Sequence, residues 1–141
     1  MTFQHRLLDR FLVLATLEDL TAQGWRLALI TNKPVRFTRP ILHSAGLSGF
    51  FELVIGGDTL AEKKPHPMPL LHAARHYGVS AGQTGMVGDS VTDMDAARNA
   101  GVAAVAVSYG YNGGIDLQAH GASHVIGELG QLPGVLKLIA S

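Results

Sequence analysis

The chain has 141 residues, of which 47% are hydrophobic and only 16% charged. This suits one folded domain with an ordinary core rather than a disordered chain. Eleven basic and eleven acidic residues cancel, so the charge balance favours no nucleic-acid or membrane-surface partner. The absence of cysteine excludes disulfides, thiolate nucleophiles and zinc–thiolate sites. With no signal peptide recognised and no apolar run near the roughly 20 residues of a membrane span, we expect a cytoplasmic protein.

The first half of the chain predicts alternating helices and strands. Residues 14–24 have leucines at helical spacing and end in glycine, which is typical of a helix. The short apolar run 26–31 predicts a buried strand. Residues 34–46 begin with proline and end with glycine, which predicts a second helix that Pro40 interrupts or restarts. The run 51–57 predicts a second strand.

The second half continues the alternation. Residues 66–78 predict a helix that ends at a glycine, and 84–89 predict a third strand. Residues 90–101 have hydroxyls at the start, acids in the first turn and glycine at the end, as helices prefer. The run 102–110 predicts a fourth strand. Residues 114–140 predict a helix, a short edge strand and a last helix.

Alternating strands and helices predict an α/β fold with a parallel sheet and helices on both faces. Ligands of such sheets bind beyond the carboxyl ends of the strands, so the residues that end each strand are the first candidates for a site. These residues are Thr31–Asn32, Gly57–Asp58, Gly88–Asp89 and Ser108–Tyr109.

The polar residues near these strand ends suit a phosphoryl group. The Thr31 hydroxyl and backbone N–H groups before a helix can bind phosphate oxygens. A lysine in "KKPHP" can neutralise phosphate charge. The carboxylates of Asp89 and Asp93 can hold Mg²⁺, a hard cation that prefers oxygen ligands. Each residue alone has an ordinary structural interpretation, but the combination favours a phosphoryl-transfer site.

The same residues, in this order, resemble motifs of the haloacid-dehalogenase-like phosphatase superfamily. "LALITNK" resembles its second motif, "KKPHP" its third and "MVGDSVTD" its fourth. The stretches "TNKP", "IGGDTL", "KKPHPMPL" and "VGDSVTDMDAARNAG" are similar to phosphoglycolate phosphatases in particular. The resemblance covers the chain from about residue 14 to the C-terminus and implies a three-layer, Rossmann-like core.

The resemblance also implies roles for individual residues. Thr31 would donate a hydrogen bond to phosphoryl oxygens, with Asn32 beside it. Lys64, the second lysine of "KKPHP", would neutralise the charge of the phosphoryl group and the nucleophile. Asp89 would bind Mg²⁺ directly, and Asp93 would support the metal or orient Lys64. Gly57 and Asp58 match a family loop near the pocket, and we assign them no role.

One part of the family's machinery has no counterpart in this sequence. The resemblance implies an aspartate nucleophile, in a D-x-D-G-T motif that ends the family's first strand, which forms an aspartyl-phosphate that water hydrolyses. None of the seven aspartates begins such a motif. Asp93 and Asp95 have the spacing but lie within a predicted helix, and Asp58 lacks the paired acid. We therefore expect these 141 residues to be inactive alone.

The missing motif also affects the expected fold. In the family, the first strand lies at the centre of the sheet, between the strands that here end at Thr31 and Asp89. Without it, two strand edges have to pair with each other or with another chain. The cap domain that selects the substrate belongs to the same missing segment. We expect 1–141 to be a single partial core domain, with 1–13 as a cap remnant, a helix that covers the gap, or an unrelated start.

Three functions are compatible with the sequence. The first is part of a Mg²⁺-dependent phosphomonoester hydrolase that acts on a small phosphorylated metabolite, 2-phosphoglycolate by resemblance. The second is a non-catalytic module that binds phosphate, Mg²⁺ or a partner at the open strand edges, through self-association or a complementing N-terminal fragment. The third, a receiver-like or nucleotide-binding domain, is disfavoured because no predicted strand early in the chain ends in an acidic pair and no G-x-G-x-x-G motif is present.

Overall fold

The computed structural model describes residues 7–108 and 116–140, with side chains from 14 to 108 and from 116 to 138. Helices and strands alternate as predicted from residue 7 to residue 107. The elements in chain order are α1 (Leu7–Ala22), β1 (Ala28–Ile30), α2 (Val35–Ser44), β2 (Leu53–Ile55), α3 (Met68–His76), β3 (Gly85–Gly88), α4 (Val91–Ala100), β4 (Ala103–Val107), β5 (His124–Ile126) and α5 (Leu132–Ala140). Short 3-10 helices lie at Ser48–Phe50, Ala81–Gln83 and Leu129–Gln131.

The described strands form two parallel sheets. β1 pairs with β2, with Leu29 opposite Val54. The second sheet has the order β3-β4-β5, with Val87 opposite Val105 and Val105 opposite His124. Parallel neighbours need a crossover connection, and helices provide it between β1 and β2 and between β3 and β4. The predicted α/β class with parallel pairing is therefore confirmed.

Helices cover both faces of these sheets, which gives the expected three layers. Val105 and Val107 of β4 pack in one apolar cluster with buried leucines of α1, α2 and α5. Ala104 and Ala106 pack in a second cluster with buried residues of α3 and α4, including Met94. Because successive side chains of a strand point to opposite faces, the small alanines lie under one helix layer and the larger valines under the other.

The edges of β1 and β3 do not pair with each other. Within the described residues no hydrogen-bonded ladder joins the two sheets. Ala28 and Ile30 of β1 and Gly85 and Val87 of β3 line one cavity of about 380 Å³ between the sheets, which we call the inter-sheet slot. Buried leucines of α1 also line it. Of the two arrangements expected for these edges, pairing with each other is excluded for the described strands.

The prediction that Pro40 interrupts the second helix is wrong. α2 runs through Pro40 without a break. Pro40 has no N–H to donate to the carbonyl of residue 36, in the first turn, and its ring crowds that carbonyl. The Pro40 ring lies on the exposed side, while Thr38 and Leu42 are buried on the inner side of α2. Burial of that inner side stabilises the helix despite the missing bond.

A helix was also predicted at the start of 114–140, and residues 116–123 form turns instead. The Asp116 carboxylate accepts hydrogen bonds from the N–H groups of Gln118 and Ala119, at 3.0 and 3.3 Å. These bonds cap a single turn, as a side chain does at a helix start. Gly121, with a positive φ of 107°, ends that turn, and Ala122 N–H donates to the Leu117 carbonyl at 3.2 Å. The edge strand and last helix are present as β5 and α5. The ends of two predicted elements, at 109–110 and 114–115, lie outside the described residues.

Among the residues that the structure describes, no helix has both the length and the apolar character needed to cross a bilayer.

Candidate active site

The carboxyl ends of β1 and β3 bring the predicted site residues to one region of the molecule. Thr31 and Asn32 directly follow β1, and Asp89 directly follows β3. Lys64 lies in the loop before α3, and Asp93 lies in the first turn of α4. Hydrogen bonds join these segments, although they are far apart in sequence.

Lys64 lies at the centre of this region. The residue is only 8% exposed. Its Nζ donates one hydrogen bond to Asp93 Oδ1 at 2.6 Å and another to the carbonyl oxygen of Ile30 at 3.1 Å. A buried ammonium needs compensation of this kind because burial removes its hydration. Lys64 therefore links the end of β1 to the start of α4, whereas its neighbour Lys63 is exposed.

Asp93 forms hydrogen bonds with three other residues. Its N–H donates to Ser90 Oγ at 3.2 Å, so Ser90 caps α4. Its Oδ1 accepts from Lys64, and its Oδ2 accepts from the Asp89 N–H at 3.2 Å. A Cβ on Gly88 would lie 2.5 Å from Asp93 Oδ2, so this approach requires glycine at the end of β3.

The ionised form of Asp93 is favoured in the folded protein. Burial by itself raises the pKa of the carboxyl group, because a low-dielectric environment disfavours charge. The positive charge of Lys64 and the hydrogen bonds from Lys64 and Ser90 act in the opposite direction, and the net pKa of Asp93 lies below its ordinary value. The Asp93 side chain is therefore a carboxylate near neutral pH, with its Oδ1 2.6 Å from Lys64 Nζ.

Thr31 and Asn32 have different surroundings. Thr31 N–H donates to the Ile55 carbonyl at 2.9 Å, which continues the β1–β2 pairing, and Thr31 Oγ1 accepts from the Lys33 N–H at 3.1 Å. The Asn32 amide instead binds the backbone of Lys64, with Nδ2 donating to the carbonyl at 2.9 Å and Oδ1 accepting from the N–H at 3.1 Å. Asn32 thus holds the lysine loop against the end of β1.

The loop after β2 supports the turn that contains Asn32. A Cβ on Gly57 would lie 2.1 Å from the Asn32 carbonyl oxygen, so only glycine permits this contact. The Asp58 carboxylate accepts from the Val35 N–H at 3.0 Å. It therefore satisfies a backbone donor in the first turn of α2, where a negative charge is favourable. This gives Gly57 and Asp58 the structural role that the sequence left open.

Of the two carboxylates that could bind Mg²⁺, those of Asp89 and Asp93, only that of Asp89 is a good candidate for a ligand. Both oxygens of Asp93 already accept hydrogen bonds, so Asp93 fits the positioning of Lys64 better than direct coordination. Asp89 is partly buried at the end of β3 and is the better candidate for a ligand. No group of three potential metal ligands occurs among the described residues. Mg²⁺ commonly uses one or two carboxylates and completes its shell with water and phosphate oxygens, so Asp89 fits such an ion if other ligands complete the shell.

Taken together, the region combines a buried cation, a hydroxyl and a carboxylate around the ends of two strands. Lys64 and the Thr31 hydroxyl can interact with phosphate oxygens, and Asp89 can hold a divalent cation beside them. Sequence motifs indicated each of these residues. They did not indicate the clamp by Asn32 or the contact of Gly88 with Asp93. Gly88, the glycine before "DSVTD", is the one sequence feature that could have indicated its contact with Asp93.

Comparisons with known proteins agree with the fold and the motifs. A family model described as haloacid dehalogenase-like hydrolase matches residues 11–107. Over 121 residues the chain is 46% identical to the phosphoglycolate phosphatase of Nitrosococcus oceani, in an alignment that covers 86% of this chain and 54% of that protein. Over 103 residues it is 52% identical to the phosphoglycolate phosphatase of Colwellia psychrerythraea, covering 73% of this chain and 46% of the relative.

The chain is also similar in structure to a solved protein. The crystal structure of a predicted phosphoglycolate phosphatase from Haemophilus somnus 129pt matches with a TM-score of 0.83 and 37% identity, covering 87% of this chain and 55% of that one. The chain spans about half the length of these three proteins. The family match extends over most of the sequence, including Thr31 and Asp89 at two strand ends and Lys64 in the loop before α3. The chain therefore belongs to the haloacid dehalogenase-like hydrolase family.

Proposed function

We propose that this chain supplies the phosphate-binding and metal-binding part of a Mg²⁺-dependent phosphomonoester hydrolase. The observation that carries the proposal is the buried Lys64, whose Nζ lies between Asp93 and the last carbonyl of β1. A buried ammonium with a fixed position can neutralise phosphoryl charge without reorganisation. Simple stabilisation explains this pair less well, since an apolar pair is often as stable as a buried ion pair.

Each residue has a defined task in this proposal. The Thr31 hydroxyl donates to a phosphoryl oxygen, and Lys64 Nζ neutralises the charge on that group. Asp93 positions Lys64 through the 2.6 Å contact, and Asn32 holds the lysine backbone. Asp89 is the metal ligand. When bound, Mg²⁺ would neutralise additional negative charge on the phosphoryl group.

The substrate in this proposal is 2-phosphoglycolate, which water would convert to glycolate and phosphate. The names of the relatives support this choice. The choice rests on resemblance in the core domain. The small phosphorylated metabolite is the proposed ligand; a cytoplasmic location and the lack of nucleic-acid or membrane partners stay predictions.

The 141 residues alone are proposed to be inactive on this substrate. The attacking carboxylate that the family resemblance implies lies in a D-x-D-G-T motif, and no such motif occurs in the sequence. The same observation favours a second candidate, in which the chain binds phosphate, Mg²⁺ or a partner without catalysis. The two candidates share the binding site and differ in whether a complementing segment restores turnover.

Binding and turnover by the purified 141-residue chain test the proposal separately. Calorimetric titration with inorganic phosphate in the presence of Mg²⁺ should show binding that Lys64→Ala weakens at least about tenfold. Lys63→Ala is the matched control because Lys63 is exposed, and it should bind like the parent. Release of phosphate from 2-phosphoglycolate should be absent with or without Mg²⁺.

Two results would contradict the proposal. Equal phosphate binding by the parent and by a folded Lys64→Ala variant would remove Lys64 from the site. Mg²⁺-dependent turnover by the chain alone, lost in Lys64→Ala, would show that another group replaces the expected nucleophile.

A further inference from the structure

The edge of β1 that faces the inter-sheet slot has peptide groups without a partner strand in the described part of the chain. In a parallel pair, the peptide groups of alternate residues point to the partner and those between them point away. Thr31 N–H donates to the Ile55 carbonyl of β2 at 2.9 Å, so the peptide groups of Ala28 and Ile30 point away from β2. Lys64 Nζ binds the Ile30 carbonyl. Ala28, which lines the slot, therefore presents both its N–H and its C=O to the slot.

The opposite edge of the slot belongs to β3. The Ala104 carbonyl of β4 accepts from Ser123 N–H, next to β5, at 2.9 Å, so even-numbered residues of β4 point to β5 and odd-numbered ones point to β3. Val105 is opposite Val87, and a parallel residue bonds to the two neighbours of its opposite residue. The peptide groups of Gly85 and Val87 therefore point away from β4. Both residues line the slot.

The slot is apolar on both faces of the sheets. Leu17, Leu20 and Leu136 line it from α1 and α5, and they belong to the apolar cluster on one face. Leu70 and Ala73 of α3 line it from the cluster on the other face. The volume of about 380 Å³ is in the range of small-molecule sites, which are mostly apolar and orient their ligands with a few polar groups, backbone N–H and C=O among them.

The lining of the slot favours an uncharged ligand. Arg26 is the one charged side chain among the described residues that line it, and its guanidinium carbon lies 5.2 Å from the centre of the Tyr77 ring. Arg26 is exposed, so its charge is at the mouth of the slot. A charged group deeper in the slot would lose its hydration without gaining an opposite charge. The complementary molecule has apolar faces, no net charge and polar groups along its edges.

The contact between Asn32 and Lys64 shows which polar group suits such an edge. The Asn32 side-chain amide binds both the C=O and the N–H of Lys64, at 2.9 and 3.1 Å. An amide whose N–H and C=O lie side by side can thus pair with both peptide groups of a single residue. In a strand these two groups of one residue also point the same way. A cyclic amide has the same arrangement in a rigid ring, so it is the group that complements Ala28.

We propose that the inter-sheet slot is a binding site for a flat, uncharged heteroaromatic molecule that has a cyclic amide on one edge and a hydrogen-bond acceptor on the opposite edge. The cyclic amide pairs with the N–H and C=O of Ala28. The acceptor binds the N–H of Gly85 or Val87. Apolar side chains of both helix layers cover the two faces of the ring. This site is separate from the phosphate-binding site around Lys64 and goes beyond the proposed function.

Three small molecules of nearly equal shape provide the test. Quinoxalin-2-one has a cyclic amide on one edge and a ring nitrogen on the other. 1-Methylquinoxalin-2-one has lost the amide N–H, and quinolin-2-one has C–H in place of the second ring nitrogen. Calorimetric titration of the 141-residue chain measures affinity, and amide exchange of the labelled protein locates the ligand, so neither readout depends on catalysis.

The three molecules should differ in a defined order. Quinoxalin-2-one should bind saturably, the quinolinone about fivefold more weakly and the methyl derivative at least about tenfold more weakly, because each control lacks a hydrogen bond and leaves a peptide group unpaired. Quinoxalin-2-one should also slow amide exchange at Ala28, and at Gly85 or Val87, at least about tenfold. Exchange at Leu29 and Met86 should slow less, since their N–H groups already point to a paired strand.

A variant that fills the slot gives an independent test. Ala74 of α3 is buried and lines the slot, so Ala74→Leu should place a larger side chain in the space of the ring and reduce its affinity at least about tenfold. Ala119→Leu is the control, because Ala119 is exposed and does not line the slot. It should bind quinoxalin-2-one like the parent.

Several results would overturn the proposal. Equal affinity for quinoxalin-2-one and its methyl derivative would show that the edge of β1 is not used, and no binding at millimolar ligand would exclude the site. Slowed exchange at Lys64 and Asp93 instead of Ala28 would place the ring at the phosphate-binding site. Protection of Ala28 without ligand, rising with protein concentration, would mean that a second copy of this chain covers the slot.

Discussion

The side-chain amide of Asn32 and the peptide unit of Lys64 bind each other in both directions, at 2.9 and 3.1 Å. The Asn32 side chain thus binds both the N–H and the C=O group of Lys64, as a neighbouring strand would; we call this pair of bonds the Asn32 clamp. Because Lys64 Nζ then reaches Ile30 and Asp93, the clamp and the ion pair fix both ends of the same residue.

Asn32→Ala should destabilise the fold and loosen the lysine loop. Two hydrogen bonds to backbone groups are lost, each with a net contribution of about 0.5–1.5 kcal/mol. We expect the free energy of unfolding in urea to fall by about 1–3 kcal/mol. Asn99→Ala is the control, since Asn99 makes a single bond to the Pro65 carbonyl from an exposed position. Equal effects of the two substitutions would contradict the clamp.

Lys64→Met should be much more destabilising than Lys63→Met. Lys64 and Asp93 are 8% and 4% exposed, and removal of one member leaves a buried carboxylate without its partner. The expected loss is about 3–5 kcal/mol in denaturant unfolding. A Lys64→Met/Asp93→Leu chain should recover part of this loss because no buried charge remains. A double variant that is less stable than Lys64→Met would argue against the ion pair.

Acid should weaken the folded state through Asp93. The pKa of this carboxyl in the folded protein lies below its ordinary value of 3.8, so the unfolded chain binds more protons in the interval between the two values. The stability from Asp93 is therefore fully present above pH 3.8 and is lost as the pH falls through the folded pKa. Urea unfolding of the parent and of Asp93→Asn, from pH 6 to about pH 3, should show a shallower fall for the variant. Parallel curves would refute this role.

Gly88→Ala should displace Asp93. The added Cβ would lie 2.5 Å from both Asp93 Cβ and Oδ2, a contact that forces α4 away from β3. Overpacking of this kind costs about 1–3 kcal/mol and should be detected as a lower unfolding free energy. Gly82→Ala is the matched control because its nearest atom, Ser80 Oγ, would be 3.8 Å away. An unchanged unfolding free energy for Gly88→Ala would mean that Asp93 can move away from residue 88 at little cost.

The sequence predicted the class of fold, and it predicted that Thr31 and Asp89 follow buried strands, because both depend on local patterns. Thr31 and Asp89 follow apolar runs, and alternation with helices directs those runs to the same edge. The sequence did not predict the hydrogen bonds between residues that are far apart along the chain. Nothing local shows that the Asn32 amide meets Lys64, 32 positions away.

Local chemistry also misled the prediction at two positions. Asp116 caps only a single turn, because Gly121 with its positive φ ends that turn where a helix was predicted. Pro40 lies within α2 although prolines usually end helices. In the second case, the packing of the inner side of α2 outweighs a single missing hydrogen bond.

The most direct measurement mixes the 141-residue chain with a separately produced N-terminal polypeptide that carries the D-x-D-G-T motif, and follows phosphate release from 2-phosphoglycolate with Mg²⁺. The account predicts release only from the mixture, lost with Lys64→Ala and retained with Lys63→Ala. Absence of release from a mixture whose two chains co-elute in size-exclusion chromatography would contradict the proposed hydrolase function.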